Sequence, residues 1–167
     1  MAEKLTKGDI EKIEQEIEHR KLVVRKETIQ AVKEARAHGD LSENFEYYAA
    51  KREKNQNESR IRYLERMLKT AVVVKDTSKE DEVGLNNTVE LYFEEDKETE
   101  VYRLVTPVRV SSLEGLISIE SPIGKAIFGR KVGERVYVKV NENVGFHVVI
   151  QKVEKTQDEG ADKIRSF

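Results

Sequence analysis

EARAHGDLSENFEYYAAK, residues 34–51, decides how this chain is read. Up to His38 it continues a helix-forming run; at Gly39 the run stops, and past Asp40 and Glu43 a second one begins. Glycine just beyond a helix ends it readily, because without a Cβ it adopts left-handed backbone angles at no steric cost. The stretch predicts a reversal between two helices near Gly39 and Asp40, with a pair of carboxylates at its tip.

On the N-terminal side, Ile10, Ile13, Ile17, Val24, Ala31 and Ala35 recur at steps of three, four or seven, with no proline or glycine between Asp9 and Ala37. That is an amphipathic helix with a narrow apolar seam, about 45 Å long at ~1.5 Å per residue. Thr6 followed by Asp9 forms an N-terminal capping pattern. On the other side a second helix is expected from about Leu41 to Ala71. Its seam reads Leu41, Phe45, Tyr48, Ile61, Leu64 and Leu68, with Tyr63 and Met67 beside it. The interval KREKNQNESR, residues 51–60, holds no apolar residue. In an antiparallel hairpin it faces the segment around Arg20 to Lys26, so the middle should be joined by polar and ionic contacts, softer than the two apolar ends.

From Val72 onward the period changes to two. TVELYFEE, EVYRLVT, GLISIES, RVYVKV and GFHVVIQKVE are short, rich in β-branched and aromatic residues, and separated by turn residues. SPIGKAIFG, with Pro122 near its start and Gly129 at its end, reads as one short helix. KDTSKEDE, residues 75–82, has the composition of a charged linker, and TQDEGADKIRSF, residues 156–167, that of a flexible tail. The fold class is α+β: a coiled-coil hairpin over residues 1–75, a small mostly antiparallel β domain over 76–155, and the tail over 156–167.

Charged residues make up 37% and hydrophobic ones 38% of the 167 residues, which suits an elongated part beside a compact one. A net charge of −2 excludes a globally basic nucleic-acid binder but leaves local patches open. There is no cysteine, which excludes disulfides and thiolate metal sites and fits a reducing cytoplasm. No apolar run approaches the ~18 residues of a membrane span, and the N-terminus lacks a signal core, so a cytoplasmic protein without membrane attachment is expected.

Asp40 and Glu43 admit two readings. One is local: an aspartate caps a helix start, and a glutamate three residues on completes the reciprocal cap. The other follows from their position at the end of a thin arm, where they are poorly placed for a pocket of their own and well placed to enter a partner's. Mg²⁺ is commonly held by one or two carboxylates plus waters and phosphate oxygens, so such a pair suits a shared metal site. His19, His38 and His147 are too scattered to suggest a metal centre.

The tip EARAHGDLSENFEYYAAKRE, the opening LTKGDIEKIEQEIEHRK and the later EGLISIESPIGKAIFGRKVGERVYVKV together resemble the GreA/GreB family of bacterial transcript cleavage factors, elongation factors of RNA polymerase. The resemblance runs to about Lys155. It implies an FKBP-like C-terminal domain that docks on the polymerase and a coiled coil inserted through the polymerase secondary channel. It also implies that Asp40 and Glu43 match the acidic pair acting there on Mg²⁺ supplied with the polymerase. Ser42 and Asn44 sit in the same loop and shape it. Arg36 and Lys51 match basic positions that approach the RNA 3′ end of a backtracked complex; a solvated basic face is the other reading. Tyr47 would stack near the substrate or pack on the seam. Ser121, Pro122 and Ile123 match the region that docks on the polymerase and also read as a capped helix start. On this resemblance the chain is a monomer, holds no cofactor stably, and is no enzyme alone but stimulates the polymerase's own RNA cleavage.

Phe45 stands where the family often has a small alanine, and the tail beyond Lys155 has no counterpart. A divergent paralogue that occupies the same channel and inhibits is the alternative, against which both acids argue. A proline isomerase on the FKBP-like domain would need an aromatic-lined pocket, and fold likeness alone does not supply activity.

Overall fold

The structure, a computed structural model, describes residues 3–39, 44–156 and 164–165. The chain divides into two compact units: Ile10–Val72 with Glu3, and Lys4–Asp9 with Val73–Ser166. Two short strands, β1 (Glu3–Leu5) and β2 (Ala71–Val73), pair as a separate two-stranded sheet.

The first unit is a helical hairpin. Its first arm is α1 (Lys7–His19), a π-helical turn at Arg20–Val24, and α2 (Arg25–Ala37); its second is α3 (Phe45–Lys69). His19 and Arg25, which bracket the π turn, keep right-handed helical angles, so the arm continues without a break. The extra residue has a reason in the seam. Ile13, Thr28 and Ala35 are buried, and Ile13 and Thr28 stand one residue further apart than two heptads allow. A single wide turn absorbs the surplus and keeps one stripe facing α3. On α3 the buried side is Tyr47, Ile61, Leu64 and Met67, together with the polar Asn57 and Arg60. The expected seam residues Phe45 and Tyr48 are instead 86% and 48% exposed. Heptads counted back from Ile61 arrive at Tyr47, which takes the buried place next to the tip.

The polar middle is paired group by group. Arg20 Nη1 donates to Asn57 Oδ1 at 3.0 Å, and Asn57 Nδ2 donates back to the Arg20 carbonyl at 3.3 Å. That carbonyl also accepts the Arg25 N–H that closes the π turn, so the amide of Asn57 sits where the helix ladder is widened. Arg25 grips Glu58 through two nitrogens at 3.0 and 2.8 Å, and Lys21 meets Glu65 at 2.7 Å. Arg60 spans to Glu16 at 2.8 and 3.2 Å.

The second unit is built on five strands: β3 (Thr88–Phe93), β4 (Glu98–Val105), β5 (Leu116–Ser118), β6 (Arg135–Lys139) and β7 (Gly145–Glu154), in the order β5-β4-β3-β7-β6. All pairs are antiparallel except β4 with β5. Alternate residues Val89, Leu91, Val136, Val138, Val148 and Ile150 form the core with Leu104 and Val83, as period-two patterning requires. The short helix α4 (Pro122–Ile127) adds Ile127 to that core. Gly129, at φ +79°, ends it in the left-handed conformation expected of a helix-terminating glycine.

One expectation is corrected here. The charged segment 75–82 is not a free linker. Asp76 accepts from the Ser78 N–H and from Asn87 Nδ2, and Lys155 Nζ donates to Ser78 Oγ, Asn87 Oδ1 and the Glu82 carbonyl. Burial by itself pushes the Asp76 carboxyl up, but the Ser78 and Asn87 hydrogen bonds and the Lys155 charge outweigh it and hold the carboxyl below its usual range. Asn87, fully buried, is the hub, because one amide both donates to Asp76 and accepts from Gly84 N–H and Lys155. Of the tail, residues 156 and 164–165 are described, and the Arg165 N–H donates to the Val108 carbonyl at 2.6 Å.

The capping pattern at the start of α1 is present as expected, with Thr6 N–H to Asp9 Oδ2 at 2.8 Å and Asp9 N–H to Thr6 Oγ1 at 3.0 Å. Asp9 does more than cap. Its carboxylate is fully buried, accepts from Thr106 Oγ1 at 2.7 Å and pairs with the buried guanidinium of Arg109. Nothing in the spacing announced that pairing, since the partners lie about a hundred residues apart in the chain.

Candidate functional site at the hairpin tip

The tip is closed by one side chain. Asn44 Oδ1 accepts the Tyr47 N–H at 2.9 Å, capping α3, while its Nδ2 donates to the Ala35 carbonyl at 2.6 Å, satisfying one of the last carbonyls of α2. A carboxylate could perform the first task but not the second, having no donor. Helix α2 passes through His38 as its C-terminal cap to Gly39, at φ +125°. The second helix therefore starts at Phe45, and its cap is Asn44 rather than Asp40. Asparagine caps helices as well as aspartate does, so Asn44 itself carries the capping signal in the sequence, beside the two acids. Asp40, Leu41, Ser42 and Glu43 lie outside the described residues. They are the whole of the chain between Gly39 and Asn44.

Just behind the tip the two helices bring Arg36 and Lys51 to the same aromatic ring. The Arg36 guanidinium lies 5.6 Å and the Lys51 ammonium 6.0 Å from the centroid of Tyr47. Cations over a tyrosine ring are attracted by its quadrupole, and here one comes from each arm. The Tyr47 hydroxyl is shifted below its ordinary pKa, first by its hydrogen bond to Arg36 and then by the Lys51 and Arg36 charges, against an opposing effect of burial. Of the two readings for Tyr47 the structure supports packing, since only 9% of it is exposed. Tyr48 meets it edge-on, with centroids 5.4 Å apart and planes at 64°. His38 Nδ1 and Glu46 Oε2 stand 3.1 Å apart on the exposed side.

In the second unit, Ser121 caps α4: its Oγ accepts the Gly124 N–H at 3.0 Å and donates to the Ser118 carbonyl at 2.7 Å. Pro122 is exposed, whereas Ile123 packs partly against the core, so the three residues do not share one environment. Phe128, at the end of the helix, is 48% exposed and was not singled out from sequence. Among the described residues no cluster of three or more histidine, aspartate or glutamate side chains is placed to hold a metal, and no helix is long and apolar enough to cross a membrane.

Residues 3–73 match the family model "Transcription elongation factor, N-terminal", and residues 77–155 match "Transcription elongation factor, GreA/GreB, C-term". The chain belongs to the GreA/GreB family of transcription elongation factors. It is 44% identical to transcription elongation factor GreA of Chloroherpeton thalassium over 84% of this chain and 89% of that protein. It is 43% identical to GreA of Streptococcus gordonii over 94% of this chain and all of that protein. Among solved structures, the GreA factor homolog 1 protein of Thermus thermophilus is 28% identical, covering 93% of this chain and all of its own, with a TM-score of 0.42.

Proposed function

We propose that this elongation factor works by carrying Asp40 and Glu43 into the active centre of RNA polymerase, through the secondary channel, where they stimulate the polymerase's own hydrolysis of backtracked RNA. The observation that supports the reading is that Asn44 closes the hairpin onto the Ala35 carbonyl, while in the sequence both acids fall in the four residues between Gly39 and Asn44. A carboxylate pair so placed can lend oxygen ligands to a Mg²⁺ supplied with the polymerase and phosphate, a coordination style that this ion favours. When bound, such an ion would supply activation of a water and compensation of charge at the phosphodiester. Arg36 and Lys51, held over Tyr47, supply positive charge toward the RNA 3′ end. The β unit provides docking on the polymerase through the start of α4 at Ser121, Pro122 and Ile123. The chain acts as a monomer, in the cytoplasm, and is no enzyme by itself.

The test is to stall a bacterial RNA polymerase in a backtracked state, add this protein with Mg²⁺, and resolve the transcripts. Shortened RNAs that regain extension support the reading. Slowed elongation with no shortened RNA would instead identify an inhibitor that occupies the same channel.

A further inference from the structure

Two aromatic rings at the tip end of α3 are left open to solvent. Phe45, in the first turn, is 86% exposed, and Tyr48, one turn on, is 48% exposed. Tyr48 is not loose. Its ring is braced edge-on by Tyr47, which is itself held between Arg36 and Lys51. Below them the outward stripe of the helix continues at alternating steps of three and four through Arg52, Asn55, Ser59 and Arg62, and Arg62 Nη2 donates to Ser59 Oγ at 3.1 Å. A shallow groove runs along it, lined by Tyr48, Lys51, Arg52, Asn55, Gln56 and Ser59.

The stripe contains no carboxylate, in a chain of which 37% is charged. The glutamates of α3 lie off the stripe: Glu46 stands against His38, Glu58 on Arg25 with its charge also reaching Arg62, Glu65 on Lys21, and Glu53 on another face. Exposed rings followed by cations and amides without acids form a surface complementary to an unpaired, anionic strand: rings stack on bases, and arginines and amides meet phosphate and sugar. A duplex offers no unstacked base to such rings.

We propose that Phe45 and Tyr48 are a stacking platform for unpaired RNA bases, with the groove below carrying the backbone. The assignment deepens the proposed function by naming what the tip holds besides the acids, and in that setting it rests on that reading. Phe45 is then a positioning residue, fixing an RNA base beside the short loop that carries Asp40 and Glu43.

The direct test needs no polymerase. The full-length protein is titrated into a short 5′-labelled uridine oligoribonucleotide and followed by fluorescence anisotropy, with an RNA duplex of equal length as comparison. Replacing both Phe45 and Tyr48 by alanine is expected to weaken single-strand binding by at least about five- to a hundredfold, the usual worth of one stacked base, and to leave duplex binding unchanged. In a Tyr48→Ala protein, Phe45→Trp should keep single-strand binding that Phe45→Ala loses. Arg52→Gln should lower the slope of log affinity against log salt by about 0.7. Both rings are exposed, and far-UV circular dichroism confirms that the helices remain. The proposal is overturned if the wild type does not bind the oligonucleotide, or if the double variant binds it as well as wild type. It is equally overturned if the double variant loses only affinity for polymerase, which would make the contact a protein one. Asp40→Ala should bind the oligonucleotide normally. A cleavage assay that fails while Phe45-dependent binding persists sinks the cleavage reading and leaves the platform standing.

Discussion

Arg60 of the second arm donates two hydrogen bonds across the hairpin to Glu16 of the first, at 2.8 and 3.2 Å, and Glu16 also accepts from Arg20 at 2.7 Å. Arg60 is 7% exposed, and its guanidinium lies 5.5 Å from the centroid of the Tyr63 ring. One carboxylate thus joins two arginines where apolar seam residues give way to polar ones.

Glu16→Gln should destabilise the hairpin by about 1–3 kcal/mol, because it removes the charge that compensates a buried guanidinium. The pH dependence has a definite sign. Burial tends to raise the Glu16 carboxyl, but the hydrogen bonds from Arg60 and Arg20 and their charges hold it below its ordinary value. A lowered folded-state pKa contributes stability that is complete above the unfolded value, roughly 4.3, and is lost as the pH falls below it. Thermal melts of wild type and Glu16→Gln between neutral pH and acid should therefore converge on the acid side. Curves that stay parallel throughout would contradict the assignment.

At the tip, capping and chemistry fall on different residues. Asn44→Ala should cost about 1 kcal/mol or somewhat more, since it removes the cap on Tyr47 N–H and the donor to the Ala35 carbonyl together. Asn44→Asp keeps the first bond and loses the second, so chemical denaturation should place it between the two. Equal stability of all three proteins would show that Asn44 closes nothing.

Asp40→Ala and Glu43→Ala are expected to reduce transcript cleavage on the order of a hundredfold or more while polymerase binding stays near wild type, as for loss of a metal-positioning ligand worth several kcal/mol in the transition state. Quantified cleavage of a stalled complex alongside a competition binding assay separates the two effects. Wild-type cleavage by both variants would leave the acids without a catalytic part.

The start of α4 can be divided by environment. Pro122→Lys changes an exposed residue and should weaken polymerase binding with an unaltered melting temperature. Ile123→Glu, placing a charge against the core, should lower the melting temperature by itself. A folded Pro122→Lys protein that competes as well as wild type would move the docking surface elsewhere.

Gly124→Ala tests the same loop from inside. A Cβ there would collide with the Ser118 carbonyl oxygen and press on Ile119, both backbone, so neither neighbour can rotate away. A loss of about 1–3 kcal/mol is expected, the usual cost of overpacking. Differential scanning calorimetry would expose the error if the variant melted like wild type.

Periodicity alone was enough for the architecture. The step from spacings of three and four to spacings of two separates helical hairpin from sheet, because each period follows directly from backbone geometry. Gly39 marked the reversal and SPIGKAIF the short helix, since glycine and proline act through local angles that neighbours cannot override. The motifs around Asp40 and Ser121 also placed the chain in its family before any coordinate. Other features were decided only by tertiary contact. The choice of Tyr47 over Phe45 and Tyr48 for the seam depends on where α3 begins, and that is set by Asn44 reaching across to Ala35. The π turn exists because the seam of one arm must stay in register with the other, a constraint no single helix contains. The segment 75–82 looks like a linker by composition, yet Asn87 and Lys155 draw Asp76 and Ser78 into the β unit. Asp9 reads as a cap, but burial beside Arg109 makes it half of an ion pair that only folding assembles. In each case the short-range signal was legible because it costs or gains energy within a few residues. What escaped was every choice whose energy depends on a partner distant in the chain.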